Sequence, residues 1–193
     1  MKMGVRKHLI IFTLVCAAAA AVPAQSAVRF TGTVLTYGTG LSTRAYTRNF
    51  TFDIDRFSSD ADALRFRELL QRGGQDDLLQ AIRRERAGRF MLGNRLGRDV
   101  NLVLIDQVEG RRRIIAIFER WLEFAEIRGG YRSLDYPFSY IEIFVDPATG
   151  KAEGSYFAAA KIRARGDDIE VEDFATFPSK LLNVRMRPGG QLP

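Results

Sequence analysis

Two apolar runs, RDVNLVLIDQV at 98–108 and RRRIIAIFERW at 111–121, are separated by only two residues, Glu109 and Gly110. A link that short joins only antiparallel neighbours, because a parallel crossover needs about a dozen residues or more. The same grammar recurs along the chain. VRFTGTVLTY (28–37) alternates until Gly38–Gly40 breaks it, and TRAYTRNFTFDID (43–55) then places Phe50, Phe52 and Ile54 on one face at period two. These two runs are expected to form a hairpin. The strand from Pro137 to Val145 ends in the turn DPATG, and EGSYFAAAKIRAR is its expected partner. Gly166-Asp167-Asp168 reads as a further turn, IEVEDFATFP as another alternating run, and LLNVRMR as a last short strand before a tail, 188–193, expected to be disordered. WLEFAEIR is read as strand, although Phe118, Leu122 and Ala125 also suit a helix.

Between the second and third β runs the period changes. Ser59 followed by Asp62 resembles a capping box, and ADALRFRELLQR sets Ala63, Phe66, Leu69 and Leu70 on one helical stripe. Gly73 and Gly74 stop that helix. QDDLLQAIRRER follows, with Asp76 and Asp77 near its N-terminus and Arg83, Arg84 and Arg86 near its C-terminus, which suits the helix dipole. The expectation is a helical hairpin over about 59–87 inserted in a β chain. The fold class is α+β, mostly β: an antiparallel meander making a curved sheet or partly closed barrel of about seven to nine strands.

The first 27 residues have the layout of a secretory signal peptide: Lys2, Arg6 and Lys7, an apolar run from Leu9 to Val22 interrupted by Thr13, then small residues at Ala24, Ser26 and Ala27. The run is short for a bilayer span, so a secreted or periplasmic protein without a transmembrane segment is expected, with one domain over 28–187. A lipoprotein anchored through Cys16 is disfavoured by Leu14 and Val15, where small residues are needed. Removal of this segment takes His8 and Cys16, the sole histidine and cysteine. A Cys/His zinc site, a disulfide, a Ser-His-Asp triad and a cysteine nucleophile are then all excluded. The formal charge drops from +6 to about +3, too little to argue for nucleic acid. The remaining basic residues are nearly all arginine, Lys151, Lys161 and Lys180 being the exceptions.

Acids are therefore the main candidates for acid–base chemistry. Asp53, Asp55, Asp60 and Asp62 offer calcium-type oxygens but lack the glycine and closing glutamate of an EF-hand, and the last two are explained as helix N-terminal residues. Glu119 and Glu123 would share a strand face around Trp121, the arrangement of a carboxylate-based hydrolase; on a helix they would be a surface pair. Glu170 and Glu172 face a strand carrying Lys161, Arg163 and Arg165, so cross-strand ion pairs account for both sets. No metal or cofactor is expected.

The stretch RGGYRSLDYPFSYIEIFVD (128–146) is the richest remaining candidate. In its strand Ser139, Ile141, Ile143 and Val145 form a core face, while Phe138, Tyr140, Glu142 and Phe144 form an aromatic opposite face that either packs under a second layer or lines a pocket. Arg128, Tyr131, Arg132 and Tyr136, with Phe138 and Tyr140, are the candidate ligand-binding residues, suited to a carboxylate or phosphate head on an apolar body. The order IDRFSSDADALRFRELLQRGGQDDLLQAI, SLDYPFSYIEIFVDPATGKAEG, EVEDFATFPSKLLNVR resembles an uncharacterised family of secreted bacterial proteins, a resemblance that implies no activity, cofactor or site residue. The functional expectation is an exported, non-enzymatic domain binding a small or lipid-like ligand. The alternatives are an envelope interaction or structural module and a carboxylate-based hydrolase.

Overall fold

The computed structural model describes residues 27–37, 44–120, 132–166, 168–174, 177–187 and 192–193. Among the described residues ten strands and one α-helix follow in the order β1 (Val28–Thr36), β2 (Tyr46–Ile54), α1 (Asp60–Ile82), β3 (Gly88–Leu92), β4 (Arg98–Val100), β5 (Leu102–Val108), β6 (Arg111–Glu119), β7 (Phe138–Val145), β8 (Ala152–Arg165), β9 (Asp168–Asp173) and β10 (Ser179–Met186). Every pairing is antiparallel, in the spatial order β4-β3-β2-β1-β10-β8-β7-β6-β5, with β9 paired to the far half of β8. The expected hairpins β1–β2, β5–β6, β7–β8 and β8–β9 are present. Glu109 and Gly110 take φ values of 50° and 77° in the two-residue turn. Both central residues are left-handed there, the backbone twist that matches two paired strands. One departure from a plain meander is β10, which returns to lie between β1 and β8 and so stitches the first hairpin to the rest.

The sheet curves into a barrel that is not closed by hydrogen bonds. Its two ends, β4 and β5, are one run of chain broken at Asn101. The Asn101 side chain fills the break: its Oδ1 accepts from the Glu119 backbone N–H at 3.0 Å and its Nδ2 donates to the Glu85 carbonyl at 2.9 Å. Two backbone groups that no ladder reaches are thereby satisfied.

Alternation sorts the apolar residues into two layers. Phe30, Val34, Phe50, Phe52, Phe90, Val100, Ile114, Phe118, Ile141 and Ile143 point inward and are buried together. Phe90 sits at their centre, with ring centroids 6.0 Å from Phe50, 6.3 Å from Phe52, 6.0 Å from Phe118 and 5.2 Å from Tyr156. The outer layer lies under α1, where Phe66, Leu70, Leu78 and Ile82 pack on Leu102, Ile115, Ile117, Phe138, Tyr140, Ala160 and Ile162.

The expected helical hairpin is instead one helix kinked at Gly74, which adopts φ 71° and ψ −161°. Glycine reaches that conformation without a Cβ penalty, so the axis changes direction with no loop residues spent and both halves keep their apolar stripes on one sheet. The Ser59 cap is as expected, its Oγ accepting from the Asp62 N–H. The run 121–128, read as strand, lies outside the described residues. In the tail, read as disordered, Leu192 packs against the inner core. Among the described residues no helix is long and apolar enough to cross a membrane.

Candidate functional site

Strands β1, β3 and β6 finish at the same end of the barrel at which β2, β4, β7 and β10 begin, and the inward residues change character there. Arg48 precedes Phe50, Phe52 and Ile54 on the inward face of β2; Arg98 precedes Val100 on β4; Arg120 follows Phe118 after β6; Ser139 precedes Ile141 and Ile143 on β7. Alternation thus continues, but the last inward position on successive strands is arginine, serine or threonine rather than Phe, Ile or Val. The result is an open cavity of about 820 Å3 lined by Thr36, Tyr46, Arg48, Phe90, Leu92, Arg95, Leu96, Arg98, Arg120, Ser139, Tyr156, Ala158 and Ser179. Phe90 is its floor, and below Phe90 the interior is filled.

The polar groups are held in place by the fold. Arg48 Nη2 donates to the Tyr46 hydroxyl at 3.2 Å, and its guanidinium carbon lies 5.1 Å from the centre of that ring. Its Nε is buried and has no acceptor among the described residues. Arg120 Nε donates to the Tyr136 carbonyl at 2.6 Å. Ser179 Oγ donates to Thr36 Oγ1 at 3.1 Å, and Ser139 Oγ to the Ala158 carbonyl at 3.0 Å. Burial pulls Arg98 below the ordinary guanidinium value; Tyr156 opposes that shift, and the charges of Arg95 and Arg120 add to it. Burial likewise pushes the Tyr156 phenol above its usual range, against the Ser139 hydroxyl and the charges of Arg98 and Arg48. Tyr156, Ser139, Arg48 and Arg98 all line this one cavity. No carboxylate is among the described residues of the lining.

The residues anticipated as ligand contacts are distributed differently. Arg128 and Tyr131 lie outside the described residues, and Arg132 opens the 3-10 turn Arg132–Asp135. Tyr136 is buried; its hydroxyl donates to Glu172 Oε1 at 2.5 Å and its ring meets Phe174 edge-on at 5.3 Å, so its side chain ties the start of β7 to β9. It contributes to the cavity only through the carbonyl that holds Arg120. Phe138 and Tyr140 are buried beneath α1 and face away from the cavity, which makes the aromatic face of β7 a packed layer. The sequence signal for this lining is the two-residue step from Arg48 to Phe50, or from Phe118 to Arg120, which puts these arginines on the inward face.

The acids have other partners. Asp53 is bonded to Arg29, Asp55 lies 4.0 Å from Arg86, and Asp62 caps α1 with Ser59. Glu119 accepts from Arg83 Nη2 at 2.9 Å across the α1–β6 junction, and Glu123 lies outside the described residues. Arg163 and Glu172 pair at 3.7 Å across β8 and β9, as the facing charges require. Comparison of the chain with protein-family models, with curated proteins and with solved structures found no match.

Proposed function

We propose that the protein is an exported, non-enzymatic binding protein whose small ligand sits in the open end of the barrel. One observation carries this reading: the inward positions of the barrel are filled largely by Phe, Ile and Val, and among the described residues about 820 Å3 is left open at the end where the lining turns polar. That volume falls within the roughly 300–1,000 Å3 typical of small-molecule sites. A few convergent polar groups over an aromatic floor is also their usual composition. Below Phe90 the described inward residues are packed together as a core, which favours a compact ligand over a long acyl chain. Export, to the periplasm or beyond, is supported by the layout of the first 27 residues.

The interaction-module reading retains one supporting observation. Of the exposed large apolar residues, Tyr46, Leu96, Phe174 and Phe177 all lie toward the open end, where a protein partner could cover them. The hydrolase reading has the weaker support, since Glu119 is engaged by Arg83.

The test is titration with two fluorescent probes of the same aromatic framework, anionic 1-anilinonaphthalene-8-sulfonate and neutral N-phenyl-1-naphthylamine. Saturable 1:1 binding of either, lost in Ala158→Trp, supports a ligand site in the cavity; Ala158 is exposed on its wall, so the larger ring fills space without burying a clash. Absence of saturable binding by both probes, or binding untouched by Ala158→Trp, would refute it.

A further inference from the structure

We infer that the open end of the barrel is an anion site, and that its ligand is a compact organic anion whose carboxylate, sulfonate or phosphate is held by Arg48 and Arg98 while its apolar body rests on Phe90. The inference rests on reading the cavity as a ligand site and adds the chemistry of the ligand. Four arginines, Arg48, Arg95, Arg98 and Arg120, border one cavity, and three of them arrive on the inward face of different strands. Like charges oppose one another, and an inward arginine must be desolvated as well. Charges this close are usually offset by interleaved carboxylates, as at Arg113, whose Nε and Nη2 both reach Asp106 outside the barrel. The described part of the cavity lining carries no such acid.

Arg48 supplies the sharpest detail. Its Nε–H is buried with no acceptor among the described residues, while its Nη2 is turned to Tyr46. A buried donor left unsatisfied is costly, and a planar guanidinium presents its donors as a fork matched to two anionic oxygens. Tyr156 and Ser139 line the same cavity as Arg48 and Arg98 and add neutral hydroxyls to it. The aromatic floor, Phe90 against Tyr156 at 5.2 Å, offers a face for a ring or short apolar body. Arginine, hydroxyl and aromatic surface together define an amphiphile with one charged end, rather than a free inorganic ion.

The same probe pair tests this separately from the existence of the site. Wild type is expected to bind the sulfonate at least about tenfold more tightly than the neutral amine, with the preference shrinking as salt is raised. Arg48→Gln and Arg98→Gln should each weaken the sulfonate about tenfold or more and change the neutral probe by less than about twofold, with Arg48→Lys recovering only part of the loss. Equal binding of both probes by wild type would overturn the anion inference and leave the cavity reading standing; binding of neither removes both. The wild-type comparison holds even if a variant fails to fold. Displacement of the sulfonate by benzoate or phenyl phosphate would assign a soluble anion. Displacement only by phosphatidylglycerol vesicles would assign a lipid headgroup, and displacement by none of these would overturn the inference.

Discussion

Replacing Asn101 by Leu should loosen the barrel where its two ends meet. The side chain satisfies the Glu119 N–H at 3.0 Å and the Glu85 carbonyl at 2.9 Å, and Asn101 itself is only 8% exposed. An orphaned buried backbone group costs about 1–3 kcal/mol. Both partners sit in half-buried surroundings, so the lower part of that range applies, giving about 2–4 kcal/mol for the pair. Leucine recovers about 1 kcal/mol through its larger apolar surface. The net loss is about 1–3 kcal/mol, and with a urea m-value near 2 kcal/mol/M the unfolding midpoint should fall by about 0.5–1.5 M. Asn101→Asp, nearly the same size, keeps the acceptor for Glu119 but turns a charged oxygen toward the Glu85 carbonyl, and should lose at least as much at pH 7. Urea denaturation followed by far-UV circular dichroism reads both variants. A midpoint for Asn101→Leu within about 0.25 M of wild type would refute the idea that this amide ties the sheet ends together.

Gly154→Ala should cost about 1–3 kcal/mol in the same assay, because the new Cβ would lie 2.1 Å from the Glu142 carbonyl oxygen, a backbone atom that cannot step aside. Phe138→Ala should cost about 3–5 kcal/mol by emptying the layer under α1, yet leave probe affinity of the folded protein unchanged; a selective loss of probe binding would return Phe138 to the ligand site. Burial raises the Glu142 carboxyl above its ordinary value, opposed by Arg113 and reinforced by Asp106. A raised folded-state value means that the stability contribution is complete below the ordinary glutamate range and is lost as pH climbs through the raised value. Glu142→Gln should therefore melt higher than wild type at pH 7 and equal to it near about pH 3.5; a lower melting temperature at pH 7 would mean that the contact with Arg113, 3.9 Å away, dominates.

Much of the sheet was legible because short turns and period-two alternation are local signals. Glu109-Gly110 alone commits β5 and β6 to pair, and Phe50, Phe52 and Ile54 reveal the inner face of β2. What alternation conveys is the side of the sheet, not the height along the barrel. Arg48, Arg98 and Arg120 were consequently invisible as a group: each belongs to an ordinary run, and only the stagger of β2, β4 and β6 brings them to one level. The break at Asn101 was hidden for a related reason, since 98–108 is uniformly strand-like and the change of partner from β3 to β6 is a long-range event. The return of β10 to lie beside β1 is likewise set by pairing across more than a hundred residues. Gly73-Gly74 announced an interruption in the helix correctly, but a glycine pair alone does not distinguish a kink from a reversal. The aromatic face of β7 was open between packing and a pocket; the apolar stripes of α1, with Phe66, Leu70, Leu78 and Ile82 on one side, decide for packing.

The most direct measurement is a proton–nitrogen correlation spectrum of the arginine side chains during titration with 1-anilinonaphthalene-8-sulfonate. The expected result is a saturating shift of the Arg48 Nε–H resonance with Arg98 moving in step, while Arg113, paired to Asp106 on the outside, stays fixed. Shifts confined to arginines away from the open end, with Arg48 and Arg98 unmoved at saturation, would contradict the assignment of the barrel mouth as the place where this protein meets its ligand.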